Sequence, residues 1–433
     1  MKLYSTNNRE RIYSLEHAVL KGIAPDGGLF MPVTIPELPS RFFAELPTLG
    51  FQEICYEVAK RLLVDDIPEQ HLLNIIENSI TFPAPLVELT PEINVLELWH
   101  GPSLAFKDFG AQFMARIMSY FNRDQQKSLN ILVATSGDTG GAVAAGFHQV
   151  EGINVIILFP KGKVSALQEK QLTTFGNNVT AIEIDGTFDD CQSLVKKAFN
   201  DSRLTDKLRL TSANSINISR LIPQSFYYFE SVKHLIPSPD QIVVSVPSGN
   251  FGNLTAGLFA RKMGLPISQF IAATNINDIV PRYLDDGDFI PRASIETLSN
   301  AMDVGNPSNF SRMLELYGST WNKMRGDIKG YSYDDTQTLQ AIRHIYRQYN
   351  YIADPHSAVA FLGLSEYLNN TSSSSKGIFL ETAHPSKFKS TIDLALEIDS
   401  EIHPVLLEIS LKEGEKTCLS TDYADLLEYL LDQ

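Results

Sequence analysis

The sequence predicts an α/β protein in which parallel sheets are covered by helices on both faces. Short apolar runs, among them NILVA, NVIILF, VTAIEI and QIVVSV, are each followed by a loop and a segment with helical periodicity. Strands that alternate with helices in this way form parallel sheets. The length of 433 residues and the hydrophobic content of 43% allow two or more domains with filled cores, because single cores stop growing near roughly 250–300 residues.

The first part of the chain differs in pattern from the rest. Segments such as MPVTIPELPSRFFAELP are helical in pattern and interrupted by proline, so we predict a helical N-terminal cap over residues 1–85. The α/β pattern occupies residues 86–433. A helix begins there near Lys107, because apolar residues recur every four positions after it, and the runs FIAATN and GIFLET predict two further strands.

Charge and cysteine content exclude several classes of protein. The chain carries 36 basic and 51 acidic residues, a net charge of −15, which disfavours non-specific binding to nucleic acid or to anionic membranes. Its three cysteines, Cys55, Cys191 and Cys418, form no CxxC pair, so we predict neither a disulfide framework nor a metal site. The N-terminus has no secretory signal pattern, and no apolar run reaches the roughly 18 residues of a membrane span. We expect a cytoplasmic protein.

One lysine, Lys107, lies at the predicted first turn of a helix within the stretch WHGPSLAFKDFGAQFM. The helix dipole opposes a cation at this place, at a cost of about 0.3–1 kcal/mol for an exposed side chain. Lys107 could extend to solvent or pair with Asp108. Alternatively, desolvation and the dipole lower its pKa and leave a neutral amine that acts as a nucleophile or forms a Schiff base.

Two glycine-rich loops each follow a predicted strand and open a predicted helix. They are SGDTGG at residues 136–141 and SGNFGN at residues 248–253. Glycine lets backbone N–H groups approach an anion, and a helix N-terminus favours negative charge. Such loops also serve simply as turns, and neither matches the dinucleotide or Walker pattern. Together with Lys107, they predict a site for an anionic ligand.

A third candidate segment is ETAHPSKF, at residues 381–388. Its Thr382 would reach the region of the two loops, because ligands bind at the carboxyl ends of parallel strands; a hydroxyl that caps the turn is the alternative. The histidines His100, His356 and His384 could act as bases or be structural. Lys163 and Ser165, which follow another predicted strand, could contact an anion or belong to a solvated charge cluster. Arg220, Asn309 and Arg312 are donors beside apolar residues, and such donors usually need a partner.

Six segments contain most of these residues, in a fixed order along the chain. They are GPSLAFKDFGAQFM, ATSGDTGGA, TSANSINISRLIPQ, VPSGNFGNLTAG, MDVGNPSNF and ETAHPSKF. Together they resemble the threonine synthase family in its longer microbial form, from YSTNNRE near the N-terminus to the last strand. The resemblance implies two doubly wound parallel-sheet domains of the tryptophan-synthase-β type, fold type II of pyridoxal-phosphate enzymes, with the active site between them. It also implies a lyase that uses pyridoxal 5'-phosphate to convert O-phospho-L-homoserine and water to L-threonine and phosphate.

Carried over residue by residue, the resemblance makes Lys107 the catalytic lysine, which forms a Schiff base with the cofactor. It implies that Thr382 contacts the pyridine nitrogen of the cofactor. It also implies that the cofactor phosphate is bound by a loop that contains Gly249, Asn250, Phe251 and Asn253. It implies that the substrate carboxylate binds at Ser136, Gly137, Asp138 and Thr139. The candidates for the remaining substrate contacts, above all to its phosphate, are Lys163, Ser165, Arg220, Asn309 and Arg312.

Two alternatives remain at this point. Related lyases, such as serine or threonine dehydratases and cysteine synthase, share the lysine and the glycine loop, although the segments NSINISR and DVGNPSN favour the synthase. A family member that kept the fold without catalysis is the second alternative, although Lys107, Gly249 and Thr382 are all present. The sequence does not distinguish a monomer from a homodimer.

Overall fold

The computed structural model describes residues 1–135, 137–237, 241–371 and 374–432. Its N-terminal region combines a small antiparallel sheet with helices. The elements are β1 (Lys2–Ser5), β2 (Asn8–Ser14), α1 (Leu15–Lys21), β3 (Phe30–Pro32), α2 (Ser40–Glu45), α3 (Phe51–Leu63) and α4 (Glu69–Ser79).

A helical N-terminal region is confirmed, whereas the sheet of order β2-β1-β3 was not predicted. The reason lies in β2, where Tyr13 is buried and the other side chains are exposed. A strand of this kind has no alternation of apolar and polar residues to reveal it.

The middle of the chain alternates strands and helices. Its elements are β4 (Leu86–Glu88), β5 (Ile93–Glu97), α5 (Lys107–Asn122), β6 (Leu129–Ala134), α6 (Asp138–Phe147), β7 (Ile153–Pro160), α7 (Ala166–Thr173), β8 (Val179–Ile184), α8 (Phe188–Asn200), α9 (Ser202–Thr205) and β9 (Arg209–Thr211).

The last part of the chain continues the alternation and ends in helices. Its elements are α10 (Ile218–Leu221), α11 (Phe226–Lys233), β10 (Gln241–Pro247), α12 (Gly252–Lys262), β11 (Gln269–Thr274), α13 (Ile279–Asp286), α14 (Phe310–Leu316), α15 (Trp321–Asp327), β12 (Ile328–Ser332), α16 (Asp335–Tyr349), α17 (Pro355–Asn369), β13 (Ser375–Glu381), α18 (Lys389–Leu396), α19 (Pro404–Ser410), β14 (Thr417–Leu419) and α20 (Tyr423–Asp432). Short 3-10 helices lie at Leu46–Thr48, Ile222–Ser225, Asn300–Met302 and Pro385–Phe388.

Two larger sheets organise the α/β region. The six-stranded sheet has the order β12-β11-β10-β13-β5-β4, and its neighbours are parallel except β4, which is antiparallel to β5. The five-stranded sheet has the order β14-β8-β7-β6-β9 and is parallel throughout. The predicted α/β class with parallel sheets is therefore confirmed.

Consecutive residues of the central strands pack into different hydrophobic cores. In β6, Val133 packs in the core that contains α5 and α6, whereas Leu132 packs with α8 and α20. In β10, Val244 and Val243 likewise belong to two cores, the second formed with α17. Both faces of each sheet are thus covered, which explains why these strands are apolar at almost every position.

The segments that follow β13 and β6, which belong to different sheets, contact each other. Lys387, which follows β13, forms an ion pair of 2.9 Å with Asp138, the first residue of α6. This junction positions the candidate site, because loops at the carboxyl ends of parallel strands commonly form binding sites. Across the described part of the chain, no helix has both the length and the apolar character required to cross a membrane.

Candidate active site

Lys107 is the first residue of α5, as predicted, and its side chain is 16% exposed. Its Nζ lies 3.7 Å from Asp138 Oδ2. Burial lowers the pKa of Lys107 below its ordinary value; the carboxylates of Asp138 and Asp354 act in the opposite direction, and the cations of Lys387 and Arg220 lower it further. A lowered pKa increases the fraction of the amine that is in the neutral form, which nucleophilic attack requires.

The backbone before Lys107 is joined to the segment that contains Thr382. Phe106 N donates a hydrogen bond of 2.8 Å to Thr382 O, and Ala105 forms an antiparallel bridge with Ala383. Thr382, which follows β13, therefore lies beside the loop that ends in Lys107. Two of the predicted segments, far apart in the sequence, are neighbours for this reason.

The loop SGNFGN connects β10 to α12 and has little room for side chains. A Cβ at Gly249 would lie 2.8 Å from both Ala301 O and Met302 Cα, so a larger residue requires the backbone to move. Phe251 adopts a left-handed φ of 59° directly before the helix. The N–H groups of the first turn of α12 have no partner inside the helix, which leaves them available to an anion.

Two asparagines of this region are held by other groups. Asn253 Oδ1 accepts hydrogen bonds of 2.7 Å from the hydroxyls of Tyr227 and Tyr228. Its Nδ2 is buried and has no hydrogen-bond partner among the described residues. Asn309 Nδ2 donates a hydrogen bond of 3.0 Å to the backbone oxygen of Asn250, so Asn309 stabilises the SGNFGN loop.

The second glycine loop leads from β6 into α6. Gly137 has a φ of 134°, and a Cβ there would lie 2.6 Å from the side chain of Gln168. Thr135 Oγ1 accepts a hydrogen bond of 3.0 Å from Gly137 N, which stabilises the turn. Thr139 is half-buried in the first turn of α6, where N–H groups have no partner inside the helix. Ser136 lies outside the described residues.

Asp138 connects this loop to two lysines. Its Oδ1 accepts from Lys387 Nζ at 2.9 Å and from Gln168 Nε2 at 3.1 Å, while Oδ2 lies 3.7 Å from Lys107 Nζ. Burial raises the pKa of the Asp138 carboxyl, but the charges of Lys387 and Lys107 and the hydrogen bonds overcome this effect and hold the pKa well below its ordinary range. Asp138 is therefore an ionised carboxylate in a buried place.

Lys387 was not predicted as a site residue. It lies in the 3-10 helix Pro385–Phe388, its side chain is 1% exposed, and its Nζ donates to Ser103 O at 2.7 Å. The available signal was its presence in ETAHPSKF, the same motif that contributes Thr382. That signal was weak, because most lysines of a chain lie in solvent.

Arg220 is buried where α10 packs against α5. Its Nη1 donates to Ala213 O at 2.8 Å, and its Nε has no partner among the described residues. A Cβ at Gly110, one helical turn beyond Lys107, would lie 2.7 Å from this Nε. Burial lowers the pKa of Arg220 to about 10, and the Asp108 carboxylate opposes the shift. Arg220 therefore supplies positive charge behind Lys107.

Lys163 and Ser165 are exposed on the loop before α7. Ser165 Oγ accepts from Gln168 N at 3.2 Å, and Ser165 N donates to Gln168 Oε1 at 3.1 Å, an arrangement that caps the helix. Since Gln168 also donates to Asp138, Ser165 is connected to the site through one side chain. Direct contacts of Lys163 and Ser165 with substrate stay predictions.

Arg312 connects three segments. Its guanidinium donates to Phe30 O at 3.1 Å, to Asn309 Oδ1 at 2.7 Å and to Ile216 O at 2.6 Å. Burial lowers its pKa to about 9. These bonds join the N-terminal sheet to the segments on either side of the SGNFGN loop, and a direct contact of Arg312 with substrate stays a prediction.

Replacing Arg312 by methionine is expected to lower the free energy of unfolding by at least about 2 kcal/mol, because buried acceptors lose their donor. Urea unfolding followed by circular dichroism measures the change. Arg347→Met is the matched control, since Arg347 is exposed on α16 and its loss should change stability by no more than about 0.5 kcal/mol. Equal stabilities of the two variants would contradict a structural role for Arg312.

A buried hydrogen-bond network supports the backbone of Thr382. Of its members, only His356 had been named as a candidate from the sequence. Ser357 Oγ accepts from Thr382 N at 3.1 Å and donates to Asp354 Oδ2. Asp354 Oδ1 lies 2.5 Å from His356 Nδ1, and His356 Nε2 accepts from Ala301 N at 3.2 Å. The proton of the imidazole is therefore on Nδ1. Because the segment of Ala301 packs on the SGNFGN loop, one network supports both Thr382 and that loop.

Comparison with known families defines the class of protein. The family described as "Pyridoxal-phosphate dependent enzyme" matches residues 81–380, and the family described as "Threonine synthase N terminus" matches residues 2–80. The buried lysine and the two glycine loops all lie within the first of these matches. The chain is thus a pyridoxal-phosphate-dependent enzyme.

Comparison with individual relatives identifies the family within this class of enzymes. The chain is 45% identical to threonine synthase of Escherichia coli strain K12, over 92% of this chain and 91% of that protein, and 44% identical to threonine synthase of Haemophilus influenzae over 100% of both. A crystal structure of threonine synthase from Escherichia coli has a TM-score of 0.92 at 42% identity and covers 100% of both chains. The structure of PLP-bound threonine synthase from Brucella melitensis has a TM-score of 0.93 at 33% identity, with 99% of this chain and 98% of that chain covered. This chain belongs to the threonine synthase family.

Membership confirms the fold type II architecture, the use of pyridoxal phosphate and the assignment as a lyase of threonine biosynthesis. More distant structures share the fold alone. Maize serine racemase, for example, has a TM-score of 0.53 at 17% identity and covers 69% of this chain and 87% of its own. The related lyases considered as alternatives are therefore not favoured.

Proposed function

We propose that this chain converts O-phospho-L-homoserine and water to L-threonine and phosphate in the cytoplasm, with Lys107 as its catalytic residue. The observation that carries the proposal is the contact of the buried Lys107 Nζ with Asp138, at 3.7 Å, where α6 begins. Family membership supports the reaction. The free thiols of Cys55, Cys191 and Cys418 are compatible with the reducing cytoplasm.

The residues of the site fit pyridoxal phosphate. Its phosphate would be held by the first turn of α12, beside the confined Gly249 and the Nδ2 of Asn253, which has no hydrogen-bond partner among the described residues. Lys107 would offer its amine to the cofactor aldehyde, and Thr382, which follows the adjacent strand β13, would offer its hydroxyl to the ring nitrogen. When bound, the cofactor supplies a conjugated ring that stabilises negative charge as a proton leaves the substrate Cα.

The chain's own groups would orient the substrate around that reaction. The first-turn N–H groups of α6, at Asp138 and Thr139, would bind the substrate carboxylate, because a helix N-terminus favours negative charge. Lys107 would accept the Cα proton at its Nζ and return protons later in the reaction. Positive charge would stabilise the leaving phosphate. Arg220, buried between α10 and α5, and Lys163, on the exposed loop before α7, would supply this charge.

Arg220→Met is expected to reduce kcat/KM for O-phospho-L-homoserine by at least about thirtyfold, roughly 2 kcal/mol, because a buried cation acts with little screening. Lys163→Met should cost less, since an exposed charge is screened by solvent and salt. Steady-state kinetics with the absorbance spectrum of the bound cofactor as a control separates substrate from cofactor effects. Arg220→Lys should recover part of the loss, and near-parental kcat/KM for Arg220→Met would exclude Arg220 from this role.

The activity itself is tested by product analysis. The purified chain, supplied with pyridoxal phosphate and O-phospho-L-homoserine, should release threonine and phosphate in equal amounts. L-Serine and L-threonine serve as competing substrates, because a dehydratase would convert them to keto acids and ammonia. Faster keto acid formation than threonine formation would reject the proposal in favour of the dehydratase alternative.

A further inference from the structure

Asp138 is shared by two buried lysines that come from different parts of the chain. Lys387 Nζ lies 2.9 Å from Asp138 Oδ1, and Lys107 Nζ lies 3.7 Å from Asp138 Oδ2. The Lys387 side chain is 1% exposed and that of Asp138 is 5% exposed, so water screens this pair weakly. One carboxylate therefore faces two amines, and its closer contact is with Lys387.

Hydrogen bonds as well as charge determine the position of Lys387. Its Nζ donates to Ser103 O at 2.7 Å, and the same Asp138 oxygen that it contacts accepts from Gln168 Nε2 at 3.1 Å. In the described part of the chain, no hydrogen bond of this kind holds Lys107 Nζ. The Lys387–Asp138 pair is thus a fixed element of the site, beside a lysine whose amine is less constrained.

We propose that Lys387 is a positioning residue that serves as the permanent counter-ion of Asp138, so that Asp138 does not hold Lys107 as an ammonium. This inference rests on the proposed function of Lys107 as the amine that attacks the cofactor aldehyde. An ammonium has no lone pair, so a carboxylate paired with Lys107 would remove the nucleophile. With Lys387 in place, the negative charge of Asp138 is already compensated.

Charged groups face Lys107 from the elements packed around it. They are Asp138 on α6, Arg220 on α10, Asp354 before α17 and Lys387 after β13. Asp108 on α5 acts instead on Arg220, whose pKa its carboxylate raises. Asp138 and Asp354 raise the pKa of Lys107 against the dominant effect of burial, whereas Lys387 and Arg220 lower it. Loss of the Lys387 charge would remove one lowering contribution and leave Asp138 to pair with Lys107. Both changes raise the pKa of Lys107.

The test measures the titration of Lys107 directly rather than turnover. The full chain is mixed with pyridoxal phosphate over a range of pH, reduced with borohydride, and the modified fraction of Lys107 is determined by peptide mass spectrometry. For Lys387→Met we expect the midpoint of this curve to move to higher pH by at least about one unit. Acetylation of Lys107 by acetic anhydride, in chain freed of cofactor, should show the same displacement.

Second-site rescue separates this role from a purely structural one. The double variant Lys387→Met/Asp138→Asn lacks the carboxylate that would hold the ammonium, so its midpoint should return to the parental value or below it. Lys387→Arg keeps the positive charge and should keep the parental midpoint. If Lys387→Met does not fold, Lys387→Gln, which can still donate to Ser103 O, replaces it in the same experiment.

An unchanged midpoint in Lys387→Met, or a double variant that titrates like the single variant, would overturn the proposal. Neither readout uses O-phospho-L-homoserine. A chain that made no threonine but showed the expected displacement and rescue would therefore contradict the proposed reaction while supporting the role of Lys387. Labelling of a lysine other than Lys107 would contradict the role of Lys107 itself.

Discussion

Lys107→Ala is expected to abolish threonine formation, with kcat reduced by at least about a thousandfold. The variant loses both the amine that attaches the cofactor and the group that moves protons at the substrate Cα. The fold should persist, because Lys107 is the first residue of α5 and its Nζ lies 3.7 Å from its ion-pair partner. Steady-state kinetics and borohydride trapping measure the two losses separately.

The matched control for this prediction is Lys207→Ala. Lys207 is an exposed lysine between α9 and β9, so its removal should leave kcat within about twofold of the parent. Turnover of Lys107→Ala within tenfold of the parent, with the cofactor trapped on a different lysine, would transfer the catalytic role to that residue.

Gly249→Ala is expected to raise the dissociation constant of pyridoxal phosphate by at least about tenfold. The new Cβ would lie 2.8 Å from Ala301 O and Met302 Cα, so the loop or the 3-10 helix Asn300–Met302 must shift. Forcing extra atoms into a packed region costs about 1–3 kcal/mol, and here the displaced loop is the one that would hold the cofactor phosphate. Equilibrium dialysis of the cofactor measures the effect.

Gly326→Ala tests whether any glycine replacement would have this effect. Gly326 lies in α15, a Cβ added there would meet no atom within 4 Å, and alanine is the better helix former. This control should bind the cofactor as the parent does and unfold at an equal or higher temperature. A parental dissociation constant for Gly249→Ala would show that the SGNFGN loop tolerates a Cβ and that phosphate binds elsewhere.

Much of the α/β architecture could be predicted because its strands are buried on both faces. The runs NILVA, NVIILF, VTAIEI and QIVVSV fall in β6, β7, β8 and β10, and Lys107 begins α5 as predicted. The β1–β2 hairpin was missed because Tyr13 alone is buried in β2, and a mostly exposed strand leaves no periodic pattern.

The sequence by itself determined the alternation of strands and helices, the two glycine loops and the position of one lysine at a helix start. These features depend on local spacing and on the burial of whole segments. Only the tertiary structure decided which charged side chains lie beside the same carboxylate. Asp138 faces both Lys107 and Lys387, and Asp354 reaches Thr382 through Ser357, from segments far apart in the chain. A buried charge is stable only beside a partner in space, and spacing along the chain does not specify that partner.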